Sequence, residues 1–243
     1  RLERVIEARK EELEELDEVE LFNNIEMRLV EVLSEMKYEG IQIDKEELEE
    51  FGQNLKQNIE ELTKEIYNLS GTEFNINSPK QLGEILFEKL ELPVIKKTKT
   101  GYSTDVDVLE KLKQEHPVVE KILEYRSLAK LNSTYVEGLK PYINSTTGRI
   151  HSYFHQTITA TGRISSTEPN LQNIPTRIEL GKQLRRAFKP KDGYVFIDAD
   201  YSQIELRVLA HISNDEHMIE AFNNNEDIHK QAAASVFKVP INE

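Results

Sequence analysis

Two carboxylates at the end of an apolar run are the side chains of this sequence best placed to hold a metal ion. Val195-Phe196-Ile197 leads into Asp198-Ala199-Asp200-Tyr201, and Ser202-Gln203-Ile204-Glu205-Leu206-Arg207 follows with the signals of a helix start. A short apolar run reads as a strand, so Asp200 stands where strand passes into helix, an acid on rigid backbone. A carboxylate there suits a hard cation such as magnesium, which takes oxygen ligands, few of them from protein, and shares its shell with water and phosphates. One acid of this kind is half of a two-metal site for phosphoryl transfer. Asp198 falls on the same strand face, where a cap or a solvated side chain also accounts for it.

Neighbouring residues allow more than one role. Ser202-Gln203-Ile204-Glu205 fits the S-x-x-E capping box, in which serine and glutamate satisfy the first helical amides reciprocally. Gly162 before Arg163 lets backbone approach a ligand closely. His151 and His155 have a helical zinc spacing, but their surroundings read as a strand and no third ligand accompanies them.

The segment Asp200-Tyr201-Ser202-Gln203-Ile204-Glu205-Leu206-Arg207 closely resembles the first palm motif of family A DNA polymerases, the DNA polymerase I group. Thr161-Gly162-Arg163-Ile164-Ser165-Ser166-Thr167-Glu168-Pro169-Asn170-Leu171-Gln172-Asn173-Ile174-Pro175 resembles that family's primer-template segment, at the family's spacing. The likeness is clearest from about Gly148 to Phe237, and a looser likeness to the thumb runs back to about Phe74.

The resemblance implies template-directed DNA synthesis by nucleotidyl transfer to a primer 3′ end, with primer-template DNA and deoxynucleoside triphosphates as partners. It makes Asp200 a magnesium ligand between the primer 3′ oxygen and the nucleotide phosphates, and Tyr201 a backbone-carbonyl ligand of the second metal. Glu205 would sit below the sugar of the incoming nucleotide and crowd a ribose 2′-OH; the capping box remains the other account of it. Arg163 would contact the minor groove at the primer end, where every Watson-Crick pair shows acceptors at similar places, so one donor tests pair geometry without reading sequence. Asn170, Gln172 and Asn173 are uncharged donors suited to that groove and to nearby sugars, or to bracing their own loop. Gln203 and Arg207 would hold local geometry, with Arg207 equally an ion-pair residue.

A net charge of −13, taken over the whole chain, argues against DNA, whose phosphates attract Lys and Arg. Residues 1–70 hold 21 acids against 9 bases, however, leaving 23 against 22 in residues 71–243. Basic groups then stand out at Lys96, Lys97 and Lys99 and across Arg177, Lys182, Arg185, Arg186, Lys189 and Lys191, and the resemblance of Leu128–Tyr135 to the family's thumb helix that rides the duplex backbone implies Lys130 as a further DNA contact. The absence of cysteine removes disulfides and thiolate zinc sites. No apolar run is long enough to cross a bilayer, so no membrane partner is expected and a cytoplasmic location is the default.

The elements follow from periodicity. Apolar residues at every fourth position predict helix from Arg1 to about Met36, then Gly40, a short extended Ile41-Gln42-Ile43, and a long helix begun by Asp44 and ended at Ser70-Gly71. Ser78-Pro79 predicts a helix start whose amides either are capped by the serine or bind a phosphate. A basic loop runs from Lys96 to Tyr102, Ser103-Thr104-Asp105 opens a helix, and Pro117 begins another carrying Ile122, Tyr125, Leu128 and Leu131. Alternation over Ile150 to His155 predicts a strand, Tyr194 to Ile197 a second, and Ser202 to about Ile212 the motif helix. Ser213-Asn214-Asp215 marks a boundary.

The expected class is α+β: a mostly helical thumb followed by part of a palm sheet with its motif helix. Residues 1–39 read as the helical tail of a vestigial exonuclease-like domain, 40–145 as thumb, 146–213 as N-terminal palm and 214–243 as the approach to the fingers. The fingers helix and the later His-Asp-Glu turn of the family do not occur in these 243 residues. The second acidic metal ligand is therefore expected outside this chain, on a C-terminal palm and fingers portion that is a separate chain or a missing segment. A catalytically incomplete DNA-binding fragment and a structural partner of such a chain are the alternatives.

Overall fold

The computed structural model describes residues 2–99, 101–176, 179–238 and 240. The chain forms two compact units, Arg1–Tyr194 and Val195–Glu243. Helices dominate, with small antiparallel sheets, an α+β fold.

In the first unit the acidic start is helical, as α1 (Leu2–Glu15), α2 (Val19–Leu21) and α3 (Met27–Glu39), the last two joined by a π-turn at Phe22–Glu26. The continuous helix expected to Met36 is interrupted after Glu15, where Asp17 takes a positive φ of 57°, a conformation its short polar side chain tolerates. Gly40 ends α3 at φ +61°, and a Cβ there would lie 2.6 Å from the Ile150 carbonyl oxygen. The turn into β1 (Ile41–Ile43) thus needs glycine. β1 is the centre of a three-stranded antiparallel sheet, flanked by β4 (Arg149–Ile150) and β7 (Phe188–Lys189). Ile41 pairs with Ile150 and Ile43 with Phe188.

Asp44 caps α4 (Lys45–Ser70) by accepting from the amides of Glu46 and Glu47, both at 3.1 Å. The stripe Leu48, Phe51, Leu55, Leu62 and Ile66 is buried against α7 (Pro117–Leu131), which contributes Val118, Ile122, Tyr125, Leu128 and Leu131. Each such aliphatic side chain contributes about 1.5–3 kcal/mol on leaving water, which makes this pair the main core. A Cβ on Gly52 would meet Val136 Cγ1 at 2.7 Å; its absence lets α4 close on the π-turn Asn132–Glu137 that continues α7.

Smaller elements complete the unit. Ser78 caps α5 (Pro79–Glu84) by accepting from the Gln81 amide at 3.4 Å. The basic stretch expected as a loop contains a two-residue hairpin, β2 (Lys97–Thr98) against β3 (Gly101–Tyr102). Asp105 caps α6 (Val106–Leu112). The strand expected over Ile150–His155 is two strands in different sheets: Ile150 belongs to β4, while β5 (Tyr153–His155) pairs with β6 (Ser165–Thr167). The chain leaves the first ladder at Ser152, whose buried hydroxyl turns to other partners. α8 (Glu179–Arg185) precedes β7.

The strand expected from Tyr194 to Ile197 is not formed. Residues 194–200 have no regular structure, and Ile197 is 88% exposed. An extended segment becomes a strand only with a neighbour to complete its hydrogen-bond ladder, and among the described residues no strand pairs with this one. In the second unit α9 (Ile204–Ser213), α10 (Glu216–Asn223) and α11 (Ile228–Phe237) follow, α10 and α11 capped by Asp215 and Asp227. The boundary expected at Ser213–Asp215 is present: Asn214 ends α9 in the left-handed region and Asp215 starts α10.

Candidate active site

Asp200, Tyr201, Glu205 and Arg207 are all exposed, on the irregular segment before α9 and on its first turns. The capping box does not form. The N-cap is Gln203, in the left-handed region at φ 54° and ψ 38°, with no side-chain cap bond. Instead Arg207 Nε donates to the Ser202 carbonyl at 2.9 Å, and its guanidinium carbon lies 4.5 Å from the centre of the Phe222 ring. Arg207 thereby links the Ser202 carbonyl to α10.

A divalent cation meets only part of its shell here. Among the described residues no group of three or more His, Asp or Glu could hold a metal ion. Asp200 offers one hard carboxylate, fit for a shared site and insufficient for a closed one. His151 and His155 do not converge: His151 contacts the Lys37 carbonyl at 2.8 Å and the Thr147 hydroxyl at 3.1 Å, and His155 contacts the Thr167 hydroxyl at 2.8 Å.

In the first unit the segment 161–175 is a braced loop. Asn170 accepts from the Gln172 amide at 3.0 Å, capping a 3₁₀ turn at Leu171–Asn173, and Gln172 Nε2 donates to the Ile164 carbonyl at 2.9 Å. Asn170, Gln172 and Asn173 are exposed, as is Arg163, whose carbonyl accepts from the Thr159 hydroxyl. Bracing thus uses one oxygen of Asn170 and the amide of Gln172.

Two anchors of this loop escaped the sequence reading. Tyr135, on the π-turn after α7, donates its hydroxyl to the Asn173 carbonyl, and burial pushes its phenol pKa up. Ser152 and Ser166 are buried and bonded to each other. The available signals were a tyrosine closing an apolar helical stripe, where its polar end needs a partner, and serines on the inward side of alternating segments.

Of the basic residues, Lys96 pairs with Asp105 at 3.2 Å, and Lys97 Nζ lies 5.6 Å from the Tyr102 ring centre. Ser103, the Val108 amide and Lys96 hold the Asp105 carboxyl down at about 2. Lys99 and Lys130 are exposed. Lys182 pairs with Glu179, Lys189 with Glu47 and Lys191 with Glu39, while Arg185 and Arg186 are exposed. Arg177 lies outside the described residues.

The sequence profile of DNA polymerase family A matches residues 45–243, and the chain belongs to that family. It is 54% identical to DNA polymerase I of Bacillus subtilis over 231 residues, 94% of this chain and 26% of that protein. It is also 54% identical to DNA polymerase I of Lactococcus lactis subsp. cremoris over 238 residues, 98% of this chain and 27% of that one. Among solved structures, the POL domain of Pol1 from M. smegmatis, in complex with DNA primer-template and dNTP, superposes with a TM-score of 0.87 at 44% identity, covering 96% of this chain and 41% of that one. The chain therefore spans about a quarter of the length of the curated relatives it matches.

Proposed function

We propose that this chain supplies the thumb and the first metal-binding palm motif of a DNA-directed DNA polymerase, which adds deoxynucleotides to a primer 3′ end as its template directs. The observation that carries this reading is the Asp200–Arg207 motif inside a family A match covering residues 45–243. Residues 1–39 would be the tail of an exonuclease-like domain, 40–145 the thumb, 146–213 the N-terminal palm and 214–243 the approach to the fingers.

In this reading Asp200 holds a magnesium ion through its carboxylate and Tyr201 offers its backbone carbonyl. Magnesium bound there would stabilise charge on the attacking oxygen and on the phosphates. Glu205 excludes a ribose 2′-OH, and Arg207 and Gln203 keep the segment in place. Arg163, Asn170, Gln172 and Asn173 meet the minor groove and sugars of the primer end. Lys96, Lys97, Lys99 and Lys130 meet phosphates, and the pairing of Lys96 with Asp105 makes it the weakest contributor of the four. The second acidic ligand comes from a C-terminal palm and fingers portion, a separate chain or a further segment.

A second reading, a DNA-gripping fragment without catalysis of its own, is favoured by one observation: no group of metal ligands converges among the described residues. Primer extension by this chain, by a chain carrying the remaining palm and fingers, and by their mixture tests both. The 243 residues alone are expected to bind primer-template weakly and with strong salt dependence and to extend nothing, and the mixture to extend in magnesium. Robust synthesis by the isolated chain, intact by mass, overturns the assignment of the second ligand to another segment. Silence of the mixture leaves the fragment reading standing.

A further inference from the structure

Two buried serine hydroxyls grip the loop on both sides of Asn170. Ser152 and Ser166 are 2% and 1% exposed, and their oxygens are 2.8 Å apart. Ser152 Oγ lies 2.6 Å from the Pro169 carbonyl and 3.0 Å from that of Thr167. Ser166 Oγ lies 3.2 Å from the same Pro169 carbonyl and accepts from the Leu171 amide at 3.3 Å.

Each hydroxyl has one proton to give, and the shortest contacts fix a single direction of donation. The Leu171 amide donates to Ser166, Ser166 donates to Ser152, and Ser152 donates to the Pro169 carbonyl. The chain of bonds begins at residue 171 and ends at residue 169, closing a ring across the turn whose apex is Asn170. Asn170 itself is exposed and starts the 3₁₀ turn Leu171–Asn173 with its side-chain oxygen. Removing the Ser166 hydroxyl takes away the partner of the Leu171 amide, and removing that of Ser152 takes away the shortest bond to the Pro169 carbonyl and leaves only the 3.2 Å contact of Ser166. Both groups adjoin Asn170, so the turn must rearrange there to regain them.

We infer that Ser152 and Ser166 are a positioning pair which sets the orientation of Asn170 toward primer-template DNA. The inference rests on the polymerase reading. Neither serine touches DNA; they act through the turn. Of the two, Ser152 comes from outside the 161–175 segment, so the pair also fastens that segment to the chain between β4 and β5.

The test is a double-mutant cycle on primer-template affinity, in an assembly that supplies the remaining polymerase segments. Asn170→Ala, Ser166→Ala and Ser152→Ala are each measured alone, and each serine variant is combined with Asn170→Ala. Each single variant is expected to weaken binding about fivefold, the worth of one net hydrogen bond. Each double variant is expected to stay near about fivefold rather than reach about twenty-five-fold, because the serines act through a residue already removed. The serine variants break the ring from opposite ends, so whichever one folds, as checked by circular dichroism, carries the test. Multiplying effects, or loss of affinity in the serine variants with none in Asn170→Ala, overturn the inference while leaving the polymerase reading intact. A wild-type assembly that neither binds nor extends primer-template overturns the reading and the inference together.

Discussion

Arg207 Nε donates to the carbonyl oxygen of Ser202 at 2.9 Å, bracing the segment that runs from Asp200 into α9. An arginine at the end of the helix's first turn thus reaches back over its start, while its guanidinium rests on Phe222 of α10. Nothing in a capping serine could do both.

Arg207→Ala removes the hydrogen bond and the ring contact together. The variant is expected to be less stable by about 1 kcal/mol, with nucleotide addition falling more than primer-template affinity. Denaturant melts followed by circular dichroism check the first part and extension kinetics the second. Unchanged values in both would mean that Arg207 is only a solvated surface charge.

Glu205→Ala should raise incorporation of ribonucleotides relative to deoxyribonucleotides, since the shorter side chain leaves room for a 2′-OH. Because Ser202 does not cap α9, no reciprocal capping box is lost with the side chain. Competition between the two nucleotide types on one primer-template measures the ratio. A fall in melting temperature with an unchanged ratio assigns Glu205 to helix stability alone.

Asp105 gives a pH dependence with a definite sign. Its carboxyl is held at about 2 against an ordinary 3.8, by Ser103, the Val108 amide and Lys96. A depressed folded value means that the stabilisation is fully present above about 3.8 and is lost as pH falls toward about 2. Asp105→Asn should therefore flatten the stability profile between those limits and leave its slope above pH 5 unchanged. Denaturant melts across that range decide it; an identical acid slope in the variant removes Asp105 from the acid response.

Much of the helical frame was legible because its signals are local. Asp44, Ser78, Asp105 and Asp215 each cap the helix that their position announces. Partners distant in sequence were not legible. Nothing near Ile41 shows that it pairs with Ile150, and the run Val195–Ile197 signals burial without saying against what. The candidate site divides the same way: Asp200 to Arg207 are adjacent and could be read together, whereas Ser152 with Ser166 and Tyr135 with Asn173 meet only through tertiary folding.

Asp200→Ala tests the central claim most directly, in an assembly that supplies the remaining palm and fingers. A metal ligand acts where charge develops in the transition state, while DNA affinity is spread over many phosphate contacts. Primer extension in magnesium is expected to fall by about a thousandfold or more, with primer-template affinity within about threefold of wild type. Near-normal extension by the variant would contradict the account and remove Asp200 from the site.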